Sequence, residues 1–191
     1  MKKTIFTLAM LCGLISASMA QEVVSSSSQR TGDFTNEVKL NFLNLIWLGS
    51  VEIGYERYLS QDHSLDFQLM INDRFGFNNQ KNGKKYKTNS IQTAMNFYFG
   101  NGENGRIYIY PFAKIRFGDF EEPSDNLTST GIDTTDMTAF IFGAGVGYKW
   151  EISDNFAFGP YLSIARNFSS EVSDRFSDVE LNGGFSLGYR F

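Results

Sequence analysis

Apolar and polar residues alternate one by one along short runs of this chain, and the last run continues to residue 191. Its apolar positions are Val179, Leu181, Phe185, Leu187, Tyr189 and Phe191. Its polar or small positions are Glu180, Asn182, Gly184, Ser186, Gly188 and Arg190. A period of two places these two sets on opposite faces of a β-strand. Because chain ends usually fray into water, a strand that ends on an aromatic residue favours a sheet whose apolar face meets lipid.

Seven earlier runs share this period, at about 36–42, 51–58, 65–72, 91–99, 107–117, 140–150 and 156–164. The connections after the second, fourth and sixth runs are short, and those after the third, fifth and seventh are long. Residues 44–50, between the first two runs, are predicted to form a tight hairpin with Trp47 near the outer interface. Short periplasmic turns and long surface loops are typical of outer-membrane barrels. The sequence therefore predicts an all-β, eight-stranded antiparallel up-and-down transmembrane β-barrel with both termini periplasmic.

The N-terminal segment has the features of a secretory signal. Lys2 and Lys3 precede an apolar stretch at 5–15, and small residues stand at 18 and 20. We therefore predict a cleaved signal peptide at 1–20, a flexible periplasmic leader at 21–35 and a barrel at 36–191. The signal contains the only cysteine, Cys12, so the mature protein is expected to lack disulfides. Its removal makes an already acidic chain (formal charge −4) more acidic, which argues against nucleic acid as a partner.

Few residues in the sequence could carry catalysis. The only histidine, His63, falls in a predicted periplasmic turn, so a serine near the outer surface has no base to activate it. The acids of the loop at 118–136 lack the spacing of a calcium-binding loop, although a weak calcium site bridging anionic lipid stays open. We predict no enzyme activity, no catalytic or metal-binding residues and no cofactor. A basic cluster at Lys81, Lys84, Lys85 and Lys87 suits lipopolysaccharide phosphates or serves solubility.

The polar faces of the strands are expected to fill the barrel interior, because eight strands leave room for little more than side chains. The predicted charge network of the lumen comprises Glu52, Glu56, Asp66, Lys114, Arg116, Glu180 and Arg190. Lys114 and Arg116 are expected in the outer half, with Glu52 and Glu180 as partners. Arg190 is expected in the inner half near Glu56, Asp66 and Glu37. Opposite charges at equal depth favour a salt-bridged plug; an ion path along the same residues is the alternative.

Aromatic residues and prolines mark two further features. Tyr55, Tyr148, Trp150 and Tyr189 fall at the periplasmic ends of strands, where an aromatic girdle is expected. Pro111 and Pro160 each remove a backbone donor inside a strand, which predicts local bulges.

Taken together, the signal, the alternating strands and Phe191 resemble small outer-membrane barrels of the OmpX type and the membrane domain of OmpA. The segments 39–42 and 53–57 more specifically resemble a group of short outer-membrane barrels of unknown function. The resemblance implies that the terminal Phe185, Leu187, Tyr189 and Phe191 act as an insertion signal read by the barrel-assembly machinery. It also implies contact with outer-membrane lipid and lipopolysaccharide, and it does not specify an activity.

Two functions are compatible with these features. The first is a non-enzymatic outer-membrane barrel with a plugged lumen, whose surface loops serve envelope integrity, adhesion or docking to an outer-membrane complex. The alternative is a minor porin-like channel or transporter of small or apolar solutes.

Overall fold

A closed sheet forms the body of the molecule. The computed structural model describes residues 35–73, 85–100, 105–123, 131–169 and 178–191. Within these residues, eight antiparallel strands pair in chain order and β8 pairs back to β1. The strands are β1 (Asn36–Asn41), β2 (Val51–Tyr58), β3 (His63–Ile71), β4 (Lys85–Phe99), β5 (Arg106–Pro123), β6 (Ile132–Glu151), β7 (Phe156–Asn167) and β8 (Val179–Arg190). The predicted eight-stranded antiparallel barrel is confirmed. The predicted signal at 1–20 and almost all of the leader at 21–35 lie outside the described residues.

The two faces of the sheet differ in polarity in the way that a bilayer requires. Each strand has a large apolar side chain on the outside that is 44–54% exposed: Val38, Ile53, Leu69, Ile91, Ile109, Phe140, Ile164 and Leu181. The intervening residues face the lumen, and many are buried charged or polar groups. An apolar exterior around a polar interior is the pattern of a transmembrane β-barrel. No helix in the described part of the chain is long and apolar enough to cross a membrane.

The barrel has two distinct ends. At the terminal end, Asn36 and Phe191 exchange backbone hydrogen bonds of 3.1 and 2.9 Å, which closes the sheet. The opposite end, which we call the loop end, carries the connection between β1 and β2. This connection contains a helix, α1 (Phe42–Leu48), so the predicted tight hairpin is wrong and Phe42 belongs to the helix. The Asn41 side chain caps its first turn, and Gly49 ends it with a left-handed φ of 65°.

The wall of the barrel is uneven in height. β1 has 6 residues, whereas β5 has 18 and β6 has 20. The predicted loop at 118–136 is therefore wrong over most of its length, because β5 continues to Pro123 and β6 begins at Ile132. The acids Asp119, Glu121, Glu122, Asp133 and Asp136 lie on these strands, and Asp125 lies outside the described residues. Lys87 of β4 forms an exposed ion pair with Glu121 at 2.5 Å, and Lys81 and Lys84 lie outside the described residues.

The two prolines interrupt the ladders without shifting the register. Paired residues of β4 and β5 stop at Ala94 opposite Phe112 and resume at Phe97 opposite Ile109, on either side of Pro111. The ladder between β6 and β7 is interrupted in the same way next to Pro160. No residue is inserted at either gap, so the predicted bulges are wrong. Each proline keeps a paired position on its other side, opposite Ala144 or Phe185.

Candidate functional site in the barrel lumen

A buried ion cluster lies near the loop end. Arg116 of β5, which has no exposed surface, contacts Asp73 at 3.0 Å and Glu180 at 2.9 Å. Lys114, two residues earlier and on the same face, contacts the same two carboxylates at 3.2 and 3.3 Å. Ser90 adds a hydroxyl donor to Asp73 at 2.5 Å. Two cations and two carboxylates therefore neutralise each other across the width of the lumen.

The expected pairing of Glu52 with Lys114 and Arg116 is wrong. Glu52 is 5% exposed and accepts hydrogen bonds from Asn41 and Asn44 at 2.7 Å each. The hydroxyl of Tyr161 donates a third at 2.8 Å. Neutral donors therefore hold this carboxylate, because the start of α1 brings Asn44 into the lumen.

A second ion cluster lies toward the terminal end. Lys149 contacts Glu37 at 3.0 Å and Glu56 at 2.8 Å. Lys39 contacts Glu56 at 3.0 Å and Asp66 at 2.8 Å, so Glu56 joins the two lysines. Further donors on these carboxylates come from Tyr58, Ser64, Gln68, Asn96 and Tyr98. Glu56 and Asp66 thus lie toward the terminal end, with lysines as partners.

Arg190 lies opposite Glu37 in the register of β1 and β8, but the expectation that Glu37, Glu56 and Asp66 are its charge partners is wrong. Arg190 contacts Glu151 at 2.8 Å and donates to the carbonyl of Ser153 at 2.6 Å. It therefore forms a separate ion pair with the end of β6. Arg106 lies 3.5 Å from the same Glu151.

An aromatic stack fills the space along β5. The rings of Tyr108, Tyr110 and Phe112 follow one another with centroids 5.7 and 5.9 Å apart. Directly opposite on β6, in register with these three residues, stand Gly147, Gly145 and Gly143. A Cβ atom at Gly145 would overlap the Tyr110 ring, and one at Gly147 would overlap the Tyr108 ring. The glycines therefore allow the rings to lie flat against the wall.

A small cavity remains between the stack and the carboxylates. Its volume is about 30 Å³, and its lining includes Glu52, Asp66, Gln68, Tyr108, Tyr110 and Tyr161. A space of this size holds one or two water molecules. The described lumen is thus filled by side chains, with ion clusters on both sides of a tyrosine layer.

Sequence reasoning missed several members of these clusters. Lys39 and Lys149 alternate with apolar neighbours, so their inward positions were available from the period of two. The inward position of Asp73 could not be predicted in this way. β3 ends at Ile71, and if its alternation continued, residue 73 would point outward. Asn72 adopts a left-handed φ of 59°, which redirects the chain and brings Asp73 to Arg116.

The residues of the predicted girdle lie on the outer surface at the terminal end. Tyr148 and Trp150 have ring centroids 4.9 Å apart, and Trp150 stacks on Phe158 at 5.0 Å. Tyr189 contacts Phe156 and Phe191, and Tyr55 donates to Asn36 at 2.7 Å. The outer face at the C-terminal end of the chain also carries all four predicted insertion-signal residues: Phe185, Leu187, Tyr189 and Phe191.

The described residues contain no group of three or more His, Cys, Asp or Glu side chains that could hold a metal ion.

Solved structures share this architecture. The N-terminal β-barrel domain of OprF from Pseudomonas aeruginosa superposes with a TM-score of 0.52 at 16% identity, covering 82% of this chain and 95% of that domain. The fold is that of a small outer-membrane β-barrel. The resemblance drawn from the sequence is therefore confirmed at the level of the fold.

Two other barrels are similar. Neisserial surface protein A gives a TM-score of 0.49 at 13% identity over 81% of this chain and 91% of that one. Ail from Yersinia pestis, in a phospholipid bilayer nanodisc, gives a TM-score of 0.46 at 14% identity, covering 83% of this chain and 100% of that one. No family model and no curated protein matches the sequence.

Proposed function

We propose that this protein is a non-enzymatic, non-conducting barrel of the bacterial outer membrane that acts through its outer surfaces, in envelope integrity, adhesion or docking to a membrane complex. Both termini then lie in the periplasm, and the extended β5 and β6 project from the cell surface.

The observation that carries this proposal is the filling of the lumen. Arg116 and Glu56 are both fully buried and make several charged contacts each, so neither can move aside without leaving an unpaired buried charge. The aromatic stack lies between them, and the cavity beside it has room only for water. A solute path would require many of these contacts to break together.

The acids of β5 and β6 and the lipid-facing belt are the surfaces left for partners. The belt suits lipid acyl chains, and contact with lipopolysaccharide follows from an outer-membrane location. During biogenesis, the C-terminal aromatic residues are proposed to be read by the barrel-assembly machinery.

Planar-bilayer recording tests the proposal. The purified barrel should give no stable unitary conductance at moderate voltage. A reproducible, ion-selective conductance that changes in Arg116→Ala would contradict it and support the porin-like alternative. Lys87→Ala is the matched control, since it removes a cation of an exposed pair outside the lumen.

A further inference from the structure

The wall of the barrel is lowest at β1. Six residues extend about 20 Å along a strand, and the tilt of barrel strands reduces this to about 15 Å across a bilayer whose apolar band is about 25 Å tall. Beyond Asn41 the chain continues as α1 and not as strand. On this side of the barrel, α1 therefore occupies the depth that strands occupy elsewhere.

The closing seam of the sheet is also incomplete at this place. β1 pairs with β8 from Glu37 opposite Arg190 to Asn41 opposite Ser186. β8 continues toward the loop end, and among the described residues no strand pairs with positions 180–185 on the β1 side. α1 packs against this part of β8, and the Asn44 side chain donates a hydrogen bond to the Asn182 side chain at 3.3 Å.

The side chains of α1 are arranged with the polar face inward. Asn44 is 1% exposed and points into the lumen, where it donates to Glu52. The apolar side chains point outward and are 37–68% exposed: Phe42, Leu43, Leu45, Ile46 and Trp47. The whole segment between Lys39 and Glu52 contains no charged residue. A helix at a water-exposed surface would show the opposite arrangement.

We propose that α1 is embedded in the outer leaflet and that its apolar face binds lipid acyl chains, so that the helix seals the open half of the β1–β8 seam. The argument for lipid as the occupant is continuity. The apolar face of α1 continues the exposed apolar belt of its neighbours, formed by Val38 of β1, Ile53 of β2 and Leu181 of β8. In hydrocarbon, the free backbone groups of a strand edge need cover, and α1 lies where β8 lacks a strand partner.

This inference rests on the proposed outer-membrane location, and the two tryptophans of the chain allow both to be tested together. Trp47 lies on α1 at the loop end, and Trp150 lies in the apolar surface near the terminal end. Trp150→Phe leaves Trp47 as the sole tryptophan, and Trp47→Phe leaves Trp150 as the matched reference. Each variant is reconstituted in vesicles of phosphatidylcholine with plain or brominated acyl chains, and its folding is checked by heat-modifiable gel mobility.

Bromine on the acyl chains should quench the fluorescence of Trp47 about as strongly as that of Trp150. Aqueous iodide should quench the fluorescence of Trp47 far less than that of free tryptophan. If bromine quenched Trp150 while only iodide quenched Trp47, α1 would lie in water. That result would overturn the inference, and the proposed outer-membrane location would still stand. Protection of Trp47 from both quenchers would overturn the inference in favour of a protein-covered helix, which intermolecular crosslinks at residue 46 would reveal. If bromine quenched neither tryptophan, the barrel would not be in the bilayer and the proposed function would fail as well.

Discussion

At the scale of single residues, Arg116 is held by the two carboxylates of the ion cluster near the loop end. It is fully buried and contacts both Asp73 and Glu180. Among the described residues, Arg116→Ala leaves these two carboxylates with Lys114 as their cation, and breaking a buried pair of this kind typically costs about 3 to 5 kcal/mol. We expect the free energy of unfolding of the reconstituted barrel in urea to fall by this order.

The matched control is Lys87→Ala. Lys87 is also paired with a carboxylate, but its side chain is 63% exposed, and exposed pairs contribute about 0 to 1 kcal/mol. Adding Glu180→Gln to Arg116→Ala should recover part of the lost stability, because it removes one unpaired charge. Equal effects of Arg116→Ala and Lys87→Ala on the unfolding midpoint would contradict the buried cluster.

At the scale of elements, the fit of β5 against β6 depends on glycine. In Gly145→Ala the added methyl group would overlap the Tyr110 ring, which is held between Tyr108 and Phe112. Overpacking of this kind typically costs about 1 to 3 kcal/mol. We expect a lower unfolding midpoint in urea, and partial recovery when Tyr110→Leu is added.

Gly54→Ala is the control for this substitution. Its added Cβ would also point into the lumen, but its nearest neighbour, the Cε atom of Lys39, lies 3.2 Å away and does not overlap it. A loss of stability in Gly54→Ala as large as in Gly145→Ala would show that any lumen methyl group is unfavourable and that the ring contact is not the cause.

Phe191, directly after β8, could contribute to assembly through its ring or through its backbone. Its backbone exchanges two hydrogen bonds with Asn36, whereas its ring is half exposed on the outer face. If the ring is the insertion signal, Phe191→Ala should lower the outer-membrane level of the protein as strongly as deletion of Phe191, with export to the periplasm unchanged. Phe191→Tyr should assemble normally. Normal assembly of Phe191→Ala with loss in the deletion would assign the effect to the backbone seam.

At the scale of the whole molecule, closure of the sheet predicts resistance to detergent. Each described strand pairs with a neighbour on both sides over part or all of its length, so no described strand is a free edge at which unfolding can begin. The protein should therefore migrate differently on a denaturing gel before and after boiling, and it should fractionate with the outer membrane. Identical mobility of the two samples, or recovery in the inner membrane, would argue against a folded outer-membrane barrel.

Much of this architecture could be predicted from the period of two, because that period alone assigns each strand residue to the lumen or the lipid face. The inward positions of Lys114, Arg116 and Glu180 follow from it. Even α1 had a local signal, since Asn41 and Gly49 are residues that favour the two ends of a helix. The short apolar run between them is also compatible with a hairpin, and the seven-residue helix depends on the hydrogen bonds of Asn44 inside the barrel.

Apart from Glu180, the expected partner of Lys114 and Arg116, the partners inside the lumen were decided only by the tertiary structure. A strand can slide by two residues along its neighbour without changing which side chains face inward, so the sequence leaves the depth of each charge open. Asp73 reaches Arg116 because Asn72 turns the chain, and Asn44 reaches Glu52 because α1 replaces the end of a strand. The sequence by itself determined the faces of the sheet through local sterics, whereas the stagger of the closed barrel determined which charges meet.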